Sequence, residues 1–198
     1  MKLEDIANVK MGLVLSRKKA EMEDEEKVSY KLLTLKNITE EGVIQDLSFD
    51  QFASSDILDN HYFTEKGDVL MRLSHPNTAV YIDEEQSGLL IPSYFAVIKI
   101  NQDDFLPEYL AWYLNSEEVK NELERSHAGS RIPSTNQNVL RNLPIARIPL
   151  SKQQILIEIW KLHLQEKNLF KQLLKEKEKW FKGVSDHILF GTLKEEAK

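Results

Sequence analysis

The sequence predicts a mixed α/β (α+β) chain: a strand-rich globular domain over residues 1–150, one long helix over 151–190 that pairs as a coiled coil, and a tail over 191–198. Three observations predict it. The first 105 residues carry short runs of strand formers broken by turn signals. From Pro107 the apolar spacing becomes helical. After Ser151 nothing interrupts a helix until Gly183, and apolar residues step by three and four along it. With 41% hydrophobic and 9% aromatic residues, 198 residues suffice for one core and an appendage.

Within the strand-rich part, residues 28–35 partly alternate and are rich in strand formers. Gly42 marks a turn before Val43 and Ile44. A turn at Thr64-Glu65-Lys66-Gly67-Asp68 feeds a strand over 69–73, and the loop Ser74-His75-Pro76-Asn77 returns as a strand over 79–82. Residues 95–100 form another strand after the Ile91-Pro92-Ser93 break. Leu106, Tyr109, Leu110, Tyr113 and Leu114 then recur at helical spacing, with Pro107 suited to the first turn. A second helical piece follows over 116–124. Residues 126–133 read as a loop, Ser134 as the cap of a short helix reaching Leu140, and 143–149 as extended because of Pro144 and Pro149.

The long helix takes Ser151 as its N-cap. Ile155, Ile159, Leu162, Leu169, Leu173, Trp180 and Val184 form a seam, interrupted by Glu166 and Glu176. A parallel row of Leu156, Trp160, Phe170, Leu174 and Phe181 makes the stripe too wide for a two-stranded seam alone. Some 35–40 residues at ~1.5 Å each reach roughly 50–60 Å. That exceeds the width of such a domain, so the helix is expected to project and pack on something outside it. The alternative is a helix folded back on its own core.

Several function classes are excluded. No cysteine is present, so there are no disulfides or thiolate metal sites. No apolar segment follows Met1-Lys2-Leu3-Glu4-Asp5, and no apolar run approaches ~18 residues, so a cytoplasmic protein without a membrane partner is expected. No G-x-G-x-x-G, Walker A or H-E-x-x-H pattern occurs. His61, His75, His127, His163 and His187 are scattered without metal-ligand spacing, and no methyltransferase signature is found. Neighbouring Asp103 and Asp104 diverge on a loop or strand. No catalytic or metal site is therefore expected.

The net charge of −6 speaks against nucleic acid, but its distribution does not. Between Asp5 and Glu21 there is no acid, only Lys10, Arg17, Lys18 and Lys19. Between Asp68 and Asp83 stand Arg72 and His75. Between Glu124 and Glu158 stand Arg125, Arg131, Arg141, Arg147 and Lys152. Three such windows in an acidic chain either fold into one electropositive face or cluster by chance.

Leu3-Glu4-Asp5-Ile6-Ala7 followed by Gly12 resembles the opening of a target-recognition domain from a type I restriction-modification specificity (S) subunit. So do Gly67-Asp68-Val69-Leu70-Met71-Arg72 and Leu106-Pro107-Glu108-Tyr109-Leu110-Ala111-Trp112-Tyr113-Leu114-Asn115. Gly129-Ser130-Arg131-Ile132-Pro133-Ser134-Thr135-Asn136, then Leu140, Leu143-Pro144-Ile145, Ile148-Pro149-Leu150 and Gln154-Ile155, resemble the end of that domain and its entry into a helix. Ile188-Leu189-Phe190-Gly191-Thr192-Leu193 resembles the usual chain end. The resemblance runs in order over nearly the whole chain.

The resemblance implies an α/β recognition domain that reads double-stranded DNA, and a helix that pairs with a second helix. It also implies methyltransferase (M) and restriction (R) subunits as partners, directed to a bipartite site. S-adenosylmethionine, ATP and Mg are then expected on those partners, and no cofactor on this chain. S subunits of the usual kind have two recognition domains and two helices; this chain has one of each. It looks like a half-length S protein or one half alone, expected to form a homodimer or to pair with a second S half. The DNA-binding residues expected are Lys10, Arg17, Lys18, Lys19, Arg72, His75, Asn77, Arg131, Asn136, Gln137 and Asn138. Arginine and lysine grip phosphate or read guanine, and the amides pair with adenine. The cluster Asn136-Gln137-Asn138 fits base contact or a capped turn equally, and Arg141 and Arg147 fit phosphate contact or partner ion pairs. Ile155, Ile159, Leu162, Leu169, Leu173 and Trp180 are expected in the dimer or partner interface. The competing readings are a protein–protein adaptor that oligomerises through the helix without reading DNA, and a nuclease or hydrolase with an unrecognised site.

Overall fold

Short runs of apolar strand formers, most of them buried on successive residues, build the main sheet. A computed structural model describes residues 1–20, 28–45, 48–126 and 135–191 of the chain. It divides into two compact units, Met1–Gln154 and Ile155–Lys198. In the first unit, β1 (Ala7–Met11), β4 (Val69–Arg72), β5 (Ala79–Tyr81) and β6 (Phe95–Ile100) form an antiparallel sheet of order β1-β6-β4-β5. Its central strand β6 pairs Val9 with Ile98 on one side and Val69 with Ile98 on the other. Strands β2 (Val28–Leu32) and β3 (Asp50–Ser54) form a separate antiparallel pair. One sheet face carries Leu70, Val80, Phe95 and Val97, packed with Leu33, Ile82, Leu89 and Ile91. A second core joins the β2–β3 pair to Leu13, Leu58 and Leu90.

Three helices follow in this unit: α1 (Pro107–Leu114), α2 (Glu117–Ser126) and α3 (Gln137–Arg141). Pro107 stands at the start of α1, where its missing N–H costs nothing. Helix α1 packs on β4 and β5 and buries Tyr109, Leu110 and Leu114. The Asn115 amide clamps edge strand β5: the Ala79 N–H donates to Asn115 Oδ1 at 2.9 Å, and Asn115 Nδ2 donates to the Ala79 carbonyl at 2.7 Å. The opposite edge, β1, is closed by α3. Gln137 Nε2 and the Arg141 guanidinium both donate to the Val9 carbonyl. Both sheet edges are thus covered by side chains rather than left as pairing templates.

Several boundaries differ from the sequence expectation. Strands β1 and β3 lie where none was expected. The strand over 28–35 ends at Leu32, because the Leu33 N–H turns to the Leu90 carbonyl at 3.0 Å and Thr34 opens a 3-10 turn. Asn136, not Ser134, caps α3, its Oδ1 accepting from the Asn138 and Val139 N–H groups at 3.0 and 3.1 Å. Helix α4 (Leu150–Phe190) starts before Ser151. The Lys152 and Gln153 N–H groups bond to the Pro149 carbonyl, so Ser151 lies within the first turn. The first turn of α4 belongs to the globular unit. Gln153, fully buried, accepts from the Leu106 N–H at 2.9 Å and donates to the Asp104 and Ile148 carbonyls at 2.8 and 2.9 Å.

The second unit is the body of α4. The helix has 41 residues, about 60 Å at ~1.5 Å per residue. Gly183 does not end it; the space where its Cβ would stand is open. Ile155, Ile159, Leu162, Leu169, Leu173 and Trp180 are all exposed, between 52% and 69%. No described helix is long and apolar enough to cross a membrane.

Candidate nucleic-acid interface

Strand direction decides which loops meet. β1 and β4 both run antiparallel to β6, so they leave the sheet at the same end. The first acid-free window continues from β1 through Gly12 to Lys19, and the second from β4 through Arg72 to Asn77. Segment 135–141 of the third window joins them. The Thr135 N–H donates to the Leu73 carbonyl at 2.8 Å, while Gln137 and Arg141 reach Val9. The first two windows therefore leave the sheet at one end, and residues 135–141 of the third run from that end along the β1 edge.

Gly12 makes the turn out of β1 possible. A Cβ there would stand 2.2 Å from the Pro92 carbonyl oxygen and 2.4 Å from that of Ile91. The chain passes so close because the Leu13 N–H donates to the Ile91 carbonyl and the Ser93 N–H to the Leu13 carbonyl, each at 2.7 Å. The following 3-10 turn, Leu15–Arg17, presents Arg17 and Lys18. Together with Lys10, Gly12, His61 and Tyr62 they line a cleft of about 630 Å³. A smaller cleft of about 220 Å³ adjoins it, lined by Asn8, Lys10, His61, Glu65, Val97 and Lys99.

The charges in the two clefts are unevenly matched. Lys18 pairs with Asp56 at 2.7 Å, and the hydrogen bond and charge of that carboxylate hold the ammonium above the usual lysine range. Lys99 pairs with Glu65 and, at 3.3 Å, with Asp68. Burial opposes the Lys99 charge, but the two carboxylates outweigh it and hold the group above its usual range. Asp68 is buried, and desolvation pushes its carboxyl upward despite the hydrogen bond from the Glu65 N–H and the nearby ammonium. Lys10, Arg17 and Lys19 are exposed and form no ion pair with a described carboxylate. Among the described residues, the positive charge without a carboxylate partner lies along β1 and the turn after it.

The expected site residues divide accordingly. Lys10, Arg17 and Lys18 share one cleft. Lys19 is exposed beyond it and bridges through its backbone to Ser54. Arg72 is half-buried, its Nε donating to Ser74 Oγ at 3.0 Å, and His75 is exposed in the next loop. Asn77 is buried at φ 52°, and its amide donates to the Arg72 and Leu73 carbonyls at 3.2 and 3.0 Å. That amide holds the turn instead of pointing outward. Asn136 is spent on the α3 cap and the Gln137 nitrogen on the Val9 carbonyl. Asn138 is exposed and lines a hollow of about 320 Å³ with Glu122, Ser126 and Asn142. Arg131, and the 129–134 part of the run quoted for the resemblance, lie outside the described residues. Arg147 pairs with Asp104 at 2.6 Å.

Sequence reasoning missed Asn8, His61, Tyr62 and Lys99. His61 sits between Asp59 and Glu65, so a search for acid-free windows passes over it. Asn8 and Lys10 alternate with buried Ala7 and Val9, a signal readable once β1 is taken as a strand. Among the described residues no cluster of three metal-ligating side chains occurs.

No family model and no curated protein matches the chain. Solved structures do. The HsdS subunit from Thermoanaerobacter tengcongensis matches with a TM-score of 0.64 at 17% identity, over 90% of this chain and 45% of that one. A chain from work on complex assembly and conformational transition of a type I R-M system matches with a TM-score of 0.60 at 16% identity, over 96% and 49%. The type I restriction-modification S subunit from M. genitalium matches with a TM-score of 0.52 at 12% identity, over 89% and 41%. The chain therefore shares its fold with type I restriction-modification specificity subunits, and spans about half the length of each.

Proposed function

We propose that the chain is a DNA-reading specificity module of a type I restriction-modification system. It contributes recognition of one half of a bipartite site and no catalytic step. M and R subunits supply methylation and cleavage, and with them S-adenosylmethionine, ATP and Mg. The observation that carries this reading is that two acid-free windows leave the sheet at one end, with residues 135–141 of the third beside them, in a fold shared with S subunits. Lys10 and Arg17 supply phosphate grip. Arg72 at the end of β4, His75 in the loop after it and Asn138 in α3 are the base-reading candidates. The exposed stripe of α4 supports pairing with a second such helix, and we assign that role to another copy of the chain.

The adaptor reading draws on the same stripe, since an exposed apolar row of this length demands a protein partner. Salt dependence separates the two. Binding to duplex DNA should weaken steeply with salt, and Lys10→Ala and Arg17→Ala should each reduce the log–log slope by ~0.9. Binding that is absent, or insensitive to salt and to both substitutions, leaves the adaptor reading standing.

A further inference from the structure

Ile57 is 85% exposed, whereas the other exposed large apolar side chains described within residues 1–154 stand between 36% and 43%. Its neighbours on both sides are pinned. The Ser55 N–H donates to the Lys18 carbonyl at 3.1 Å, the Asp56 N–H donates to Ser54 Oγ at 3.3 Å, and the Asp56 carboxylate pairs with Lys18 at 2.7 Å. Leu58 is buried in the core with Leu13, Phe52 and Leu90, and its N–H donates to the Tyr30 hydroxyl at 3.2 Å. The segment therefore holds the Ile57 side chain in water, although an isoleucine gains free energy by leaving it. Ser55, Asp56, Asp59 and Asn60 around it are exposed and polar. A protein partner covers a cluster of apolar side chains, whereas a lone one matches a lone apolar group. The cationic turn stands beside it. Lys18 joins Asp56 to the cleft that Lys10 and Arg17 also line, and Lys19 bridges to Ser54.

We infer that Ile57 is a base-reading residue, entering the major groove of bound duplex and packing on the methyl group of a thymine. This rests on the DNA-reading role proposed above. Among the groups that base edges present for recognition, the thymine methyl is the apolar one, and it lies in the major groove. The carboxylates around Ile57 favour the same groove. Lys18 offsets Asp56 and also feels the charge of Asp59. A groove about 12 Å wide keeps both carboxylates farther from the phosphates than one of about 6 Å. The cations supply affinity for any sequence. Ile57 adds a distinction between thymine and cytosine, which charge does not supply.

The test selects bound fragments from a random duplex library with the full chain in complex with its methyltransferase subunit. Each thymine of the enriched site is then replaced in turn by uracil, which pairs identically and lacks only the methyl group. At one position the wild type should lose roughly fourfold in affinity, the worth of one buried methyl group. Ile57→Ala should bind the thymine and uracil forms of that position alike, and relax its sequence preference there alone. Its salt slope and thermal transition should equal those of the wild type, because the side chain neither carries charge nor packs in the core. Lys10→Ala should weaken both forms by one factor and keep their ratio. An Ile57→Ala complex that retains the wild-type thymine-to-uracil ratio, or a wild type indifferent to uracil at every position, overturns the assignment. Loss of assembly with the methyltransferase subunit in Ile57→Ala, with the sequence preference intact, overturns it in favour of a protein contact. A wild type that enriches no sequence overturns the DNA-reading role itself, and this inference with it.

Discussion

Gly12 has no room for a side chain, and its obstacles are backbone atoms that cannot rotate away. Gly12→Ala should lower stability by about 1–3 kcal/mol, as overpacking against a fixed wall does. Chemical denaturation measures this, and a loss under about 0.5 kcal/mol, the scale of ordinary surface changes, would mean the turn after β1 relaxes freely. Asp68 presents a different constraint. Its folded pKa is raised by burial, so the folded state holds the proton to higher pH than the unfolded state does. Stability therefore falls as pH rises from the ordinary aspartate range to the folded pKa, and the cost of the buried charge is fully present above that. Asp68→Asn removes this titration. The stability of the variant relative to the wild type should rise with pH across the acid range. A difference that stays flat with pH would contradict the assignment. Gly67, at φ 90°, supplies the turn just before Asp68, which only a residue without a Cβ adopts readily.

At the scale of elements, the clearest division is between α1 and α4. Helix α1 is covered by its sheet: Tyr109, Leu110 and Leu114 are buried, and the Tyr109 hydroxyl donates to the Ala146 carbonyl at 2.8 Å. Helix α4 is pinned through Gln153, yet from Ile155 onward most of its large apolar residues stand exposed. An amphipathic helix gains most of its stability from packing, so such a stripe implies a partner. Leu169→Glu combined with Leu173→Glu places two charges where the second helix would pack. Light scattering at tens of micromolar should find the wild type self-associated and the double variant monomeric, with the thermal transition of residues 1–154 unchanged. A monomeric wild type would defeat the pairing of two copies.

Over the whole molecule, sequence and structure agree where the signal is periodic or conformational. Residues 95–100, Pro107 and the run after residue 150 were legible because a single signal, a bounded run of strand formers, a missing N–H or helical spacing, dominates each of them. Strand β3 was not, because Asp50, Gln51 and Ser54 have low strand propensity, and its pairing with β2 comes from tertiary packing around Phe52. The end of the strand at Leu32 was likewise set by a distant partner, the Leu90 carbonyl. The site was half legible. Charge windows picked out Lys10, Arg17 and Lys18, which line one cleft, whereas Asn77 was expected at DNA and Asn136 and Gln137 were left open between base contact and a capped turn. Those amides are engaged in a turn, a cap and a sheet edge. A short polar side chain looks the same in sequence whether it faces solvent or closes a backbone bond. His61 was hidden by its acidic neighbours, although the fold sets it against Lys10.

In the proposed role this fold reads a DNA sequence. That role is tested most directly by selecting bound fragments from a random duplex library, with the full chain in complex with its methyltransferase subunit. A specific half-site should be enriched, repeated in inverted orientation across an unread spacer when two copies pair, and the Lys10→Ala complex should lose affinity without change of sequence. A bound pool with no enriched sequence, at salt concentrations where the complex still retains DNA, would contradict that role.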